Sequence, residues 1–76
     1  MSVSRLSNYD MGVQHAAGIE LLMACRAAEG TLSKEEAIDQ VVRVVGESRS
    51  FYVHDAWNRL EREKLLVRGI DGWIAV

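Results

Sequence analysis

The residue types best suited to recognising another molecule gather in the second half of the chain. Arg49, Ser50, Tyr52, His54, Asn58, Arg59 and Arg62 follow one another closely, and Lys34 and Arg68 stand on either side of them in sequence. Arginine can grip guanine through two hydrogen bonds and asparagine can do the same to adenine, while Ser, Tyr, Lys and Arg can hold phosphate oxygens. Asp55, Glu61 and Glu63 lie among these residues and would repel a phosphate backbone. The competing reading of the same stretch is a solvated helix face laced with i,i+4 pairs such as Asp55–Arg59 and Arg59–Glu63.

Signals for catalysis are weaker. His15 and His54 are the only histidines, and neither has a second His or a Glu at metal-ligand spacing. Cys25 is the only cysteine and sits in an apolar stretch, where a thiol behaves as a small inert hydrophobe. Glycine-rich phosphate loops, a Walker lysine and a Gly-x-Ser-x-Gly elbow are all missing from the sequence. Glu35, Glu36 and Asp39 fall in the first turns of an expected helix, where negative charge suits the helix dipole. The expectation is a chain that is not an enzyme and takes no cofactor, metal or small-molecule ligand.

The chain has 76 residues, which is one domain with little volume for an enclosed substrate pocket. A hydrophobic share of 49% beside 26% charged residues is the balance of a globule, not of a disordered tail. One cysteine excludes an internal disulfide framework. No apolar run approaches the ~20 residues of a membrane-spanning helix, and residues 1–10 lack the apolar core of a secretory signal. The sequence therefore points to the cytoplasm. The net charge of −2 is unhelpful for a nucleic-acid binder, but six of the nine Lys and Arg side chains fall after position 40.

Gly30 and Gly46 divide the first two-thirds into helical stretches that end in left-handed turns. Residues 1–10 read as an N-terminal arm and residues 11–76 as the domain. A first helix is expected from Met11 to Glu29, capped by Asp10, with Val13, Ala17, Leu21, Leu22, Cys25 and Ala28 on its inner face. The second has the clearest start. Ser33 and Glu36 form a capping box, with Leu32 and Ala37 as its hydrophobic staple. A third helix is expected to begin at a Ser48 or Ser50 cap and to run to about Lys64, burying Val53, Ala56, Trp57 and Leu60. Of its two leading aromatics, Phe51 is expected to pack inward. Leu65–Arg68 and Trp73–Val76 then read as strands joined through Gly69-Ile70-Asp71-Gly72.

The run VHDAWNRLEREKLLVRGIDGWIAV resembles the recognition helix and wing of small bacterial, phage or plasmid winged helix-turn-helix regulators. Leu60-Glu61-Arg62-Glu63-Lys64-Leu65-Leu66-Val67-Arg68 follows their passage from helix into wing, with Lys64 where glycine is usual. The Gly46–Val53 stretch is one residue longer than the commonest turn of this kind. The resemblance covers roughly residues 31–76 and implies an α+β winged helix: three helices followed by a two-stranded C-terminal hairpin wing. It further implies binding of double-stranded DNA by a small transcriptional regulator, with the third helix in the major groove. Lys34, Arg49, Ser50, Tyr52, His54, Asn58, Arg59, Arg62 and Arg68 would make the contacts.

Helix one carries a second apolar line, Ala16, Ile19, Met23 and Ala27, beside its inner face. A helix that is apolar on two sides needs a second cover. The expected cover is another copy of the chain, forming a homodimer, with Val3, Leu6 and Tyr9 of the arm as the alternative. The other functional class is a protein-interaction module, such as an inhibitor of a host protein or a subunit of a replication or partition complex. The acidic balance, Glu47, the short wing and the apolar second face of helix one favour it. Continuous positive charge across Arg49, Arg59, Arg62 and Arg68 would mark a DNA binder, and a mixed surface a protein partner.

Overall fold

The computed structural model describes residues 8–76. Helix α1 (Asn8–Ala27) is followed by α2 (Lys34–Val45), a 3-10 turn (Glu47–Arg49), α3 (Ser50–Arg62) and a hairpin of β1 (Leu66–Arg68) and β2 (Trp73–Ala75). The strands are antiparallel, with Leu66 opposite Ala75, Val67 opposite Ile74 and Arg68 opposite Trp73. Three helices and a C-terminal two-stranded hairpin make this an α+β fold.

Helix α1 starts three residues before the expected Met11, so Asp10 lies within the helix and does not cap it. Val3 and Leu6 of the arm lie outside the described residues. Helix α2 starts as its sequence dictates. The Ser33 hydroxyl accepts from the Glu36 amide at 3.1 Å, and the Glu36 carboxylate accepts from the Ser33 amide at 2.9 Å. These two bonds satisfy amides that a helix start leaves without partners. The β-branched run Ile38, Val41 and Val42 is helical because all three side chains are buried, and that burial outweighs their small propensity deficit.

Neither Ser48 nor Ser50 caps α3. Arg49 occupies the cap position, and its side chain makes no capping bond to the helix. The helix is entered through the 3-10 turn instead: Arg49 donates its amide to the Gly46 carbonyl at 2.9 Å, and the Ser50 amide donates to Glu47. Carbonyls of the preceding turn thus do the work of a serine cap. Gly46 itself has φ 105° and ψ 144°, a region essentially restricted to glycine.

One core unites all elements. Ala17, Leu21 and Cys25 of α1 meet Ala37, Ile38, Val41 and Val42 of α2, Val53, Ala56, Trp57 and Leu60 of α3, and Leu66 of β1. Every inner-face residue expected of α3 is in it. The hairpin is held by more than apolar contact: the Trp73 amide donates to the Leu32 carbonyl at 2.9 Å.

Helices α1 and α3 end alike. Gly30 donates its amide to Cys25 and Glu29 to Arg26, while Leu65 donates to Leu60 and Lys64 to Glu61. Each pair is the double bond of a Schellman motif. The residue at its left-handed position is Glu29 (φ 54°) in one and Lys64 (φ 65°) in the other. A side chain there costs about 1 kcal/mol relative to glycine. Lys64→Gly is accordingly expected to raise stability by about 1 kcal/mol, read as a higher urea midpoint with an unchanged slope. An unchanged or lower midpoint would contradict it.

Candidate nucleic-acid interface

Helix α3 presents the face opposite its buried stripe. His54, Asn58 and Arg62 are exposed there at i, i+4 and i+8, which sets them in one ridge along the helix. Among the described residues, these three side chains have no hydrogen-bond or ion-pair partner. Lys34, at the start of α2, is half-buried with its ammonium 5.9 Å from the centre of the Trp57 ring. It lines two neighbouring clefts, one shared with Arg68, Gly69 and Asp71 of the hairpin and one shared with Ser50 and His54. Arg68, Lys34 and His54 therefore lie along one continuous side of the molecule.

Other expected contact residues are engaged internally. The Arg49 guanidinium donates to the Val45 carbonyl at 2.9 Å, closing the C-terminal end of α2. Arg59 pairs with Glu63 at 3.2 Å, while the alternative Asp55–Arg59 pair does not form. Ser50 is the first residue of α3 and is half-buried. Tyr52 is also half-buried, edge-on to Phe51 with ring centres 5.8 Å apart. Phe51 does not pack inward: it is 64% exposed. Spacing explains the reversal, because Phe51 falls on the far side of the helix from Val53 and Trp57.

Charge along this side is mixed. Glu35, Asp39 and Glu47 line the cleft between α2 and α3 that also holds Lys34 and His54. Asp55 stands between His54 and Asn58, and Asp71 faces the cleft that contains Arg68. The four arginines at 49, 59, 62 and 68 do not form an uninterrupted positive band. Arg62 and Arg68 are exposed and, among the described residues, have no internal partner.

On the opposite side, α1 exposes its second apolar line. Ala16 and Ala27 are open to solvent, Ile19 is 45% exposed and Met23 56%. An open groove of about 210 Å³ beside it runs between α1 and α3, where Gly18, Ile19, Leu22, Leu60 and Leu65 meet the polar side chains of Gln14, His15, Arg59 and Glu63. Cys25 is buried, and burial pushes its thiol above the ordinary value. A neutral thiol inside a core offers no nucleophile. Among the described residues there is no cluster of three His, Cys, Asp or Glu suited to a metal ion, and no helix is long and apolar enough to cross a membrane.

Compared with known proteins, the chain matches no family model, no curated protein and no solved structure.

Proposed function

We propose that the chain is a winged helix-turn-helix protein that binds double-stranded DNA as a small, non-catalytic regulator of transcription. Helix α3 enters the major groove and the hairpin serves as the wing. The observation that carries this reading is the ridge His54–Asn58–Arg62, three hydrogen-bonding side chains without internal partners on the exposed face of a packed helix. Lys34 and Arg68 flank it and supply phosphate contacts on the α2 and wing sides. Arg59 has a lesser place in this set, since it pairs with Glu63 and lines the α1–α3 groove and not the clefts that hold Lys34. Both side chains are about half exposed, and such a surface pair contributes at most about 1 kcal/mol, so exchanging Glu63 for a phosphate is cheap. Arg49 has the weaker claim, since it already serves the end of α2.

The mixed charge limits what one copy can do. With few free cations and several acids nearby, a single domain binds duplex weakly, and two copies on one site supply the missing affinity. The exposed line Ala16, Ile19, Met23 and Ala27 is the surface on which those copies meet, and a two-fold pair suits a palindromic site.

The test is binding to a mixed pool of genomic duplex fragments at low and at physiological salt, with the Asn58→Ala/Arg62→Ala double variant beside the wild type. Expected is binding that weakens steeply with salt and falls at least about ten-fold in the variant. No binding at low salt, with dimer present, would overturn the reading.

A second reading rests on the mixed charge of this side, which by the criterion set from the sequence marks a protein partner, and on Phe51. A large aromatic 64% exposed at the start of α3, beside acidic side chains, also fits a protein-interaction module on the same scaffold. Retention of a protein partner by wild type and its loss in Phe51→Ser, without duplex binding, would favour that reading.

A further inference from the structure

The centre line of α3's outer face contains two residues that basic-patch reasoning passes over. Phe51, Asp55, Asn58 and Arg62 recur at i, i+4, i+7 and i+11. At 100° per residue they lie diametrically opposite Val53, Ala56, Trp57 and Leu60, all of which are buried. Phe51, Asn58 and Arg62 are exposed and Asp55 is half-buried between them, so a helix lowered into a groove on this face brings all four toward it.

Asp55 is the anomaly. A carboxylate in the middle of a face meant for a polyanion weakens binding unless it has a donor of its own. Among the described residues it has none: Arg59, one turn on, pairs with Glu63 instead. In the major groove one base offers a donor without an accompanying acceptor at the same edge position, namely the N4 amino group of cytosine, which Asp or Glu can accept. Phe51 has the complementary deficit. It has no hydrogen bond to give, and its exposed ring fits the C5 methyl group of thymine. Asn58 and Arg62 match adenine and guanine on the same code.

We infer that Asp55 and Phe51 determine specificity, Asp55 by accepting from a cytosine N4 amino group and Phe51 by contacting a thymine methyl. This rests on the duplex-binding reading. The carboxylate acts chiefly by exclusion: opposite any base that presents only acceptors it stands charged and unpaired, so wrong sites are rejected more strongly than the right one is held. The acidic residue then belongs to the site and explains how a chain of net charge −2 can bind selectively while binding little else.

The experiment is selection of sites from a randomised duplex library by wild type, Asp55→Asn and Phe51→Ser, followed by affinity measurement on the wild-type site. Asparagine carries both a donor and an acceptor and pairs with adenine. Asp55→Asn is expected to move the preference at one position from cytosine to adenine, while binding to unrelated duplex becomes tighter because a negative charge is gone. Replacing one thymine of the site with uracil, which lacks the methyl, is expected to weaken wild type about five-fold or more and to leave Phe51→Ser unaffected. Both residues avoid the core, so the variants fold, which circular dichroism checks. A wild-type motif that both variants select unchanged would overturn this inference and leave the duplex reading intact. Failure of wild type to select any motif would remove both.

Discussion

Trp57→Ala is expected to cost ~3–5 kcal/mol, the range for removing a buried aromatic from a packed core. Trp57 is fully buried at the junction of every element that positions the candidate interface. Its ring meets Trp73 edge-to-face at 5.0 Å and 78°, its N–H donates to the Glu61 carboxylate at 3.0 Å, and the Lys34 ammonium sits over it. Domains of this size have total stabilities of only about 4–11 kcal/mol, so the variant is expected to be largely unfolded or to melt tens of degrees lower. Trp57→Phe keeps an aromatic body and loses the donor, which releases Glu61 to water, and a cost of about 1–2 kcal/mol is expected. Urea titration followed by circular dichroism separates the two. Equal costs would mean that the indole N–H, not the packing, dominates.

Gly72→Ala is expected to be the most damaging single methyl group in the chain. A β-carbon at Gly72 would stand 2.5 Å from the Leu32 carbonyl oxygen, 2.7 Å from the Thr31 carbonyl carbon and 2.8 Å from the Gly30 oxygen. All three are backbone atoms and cannot swing aside as a side-chain tip can. Relief requires the hairpin to lift off the α1–α2 connection, breaking the Trp73–Leu32 bond and opening the Trp57–Trp73 contact. About 2–3 kcal/mol of lost stability follows, with melting on the order of 10–20 °C lower. Gly12→Ala is the control. Among the described residues nothing lies within 4 Å of a β-carbon there, and alanine inside α1 is expected to stabilise by about 0.5–1 kcal/mol. If Gly72→Ala melts with the wild type, the hairpin is not seated as described.

Local rules account for what the sequence made legible. The Ser33–Glu36 box needs only four consecutive residues and places the start of α2. The stripe Val53, Ala56, Trp57 and Leu60 needs only the helical period. Asp71-Gly72 marks the turn, and Leu66 and Trp73 sit where a hairpin must touch the helices. What failed depended on partners distant in the chain or on choices between near-equivalent neighbours. Ser48 and Ser50 are both good caps in isolation, yet carbonyls of the 3-10 turn meet the same need and rotate both serines out of the role. Phe51 and Tyr52 are adjacent aromatics, and the helical period counted from Val53 and Trp57 was enough to turn Phe51 outward. Arg59 has an acid one turn away on each side, and only the geometry shows that Glu63 holds it. The charged face was legible as residue types, while the commitment of Arg49 to Val45 was not, because side-chain capping of another helix's carbonyl leaves no sequence pattern.

The bond from the Trp73 amide to Leu32 joins points about forty residues apart, and closing a loop of that length carries an entropic cost that only finished contacts offset. Helices α2 and α3 have local start and stop devices and need no such closure. Refolding is accordingly expected to form the helices first and to seat the hairpin last. In amide hydrogen exchange, the Trp73 proton opens whenever the hairpin detaches and is released before those of Val53 and Trp57 in the centre of α3. The expected first opening is a species with a loose hairpin, in which the helices stay packed but lose Leu66 and Trp73 from their core. It still displays the outer face of α3 but no longer holds Arg68 in line with it, so the proposed wing contact can come and go while the rest of the interface persists.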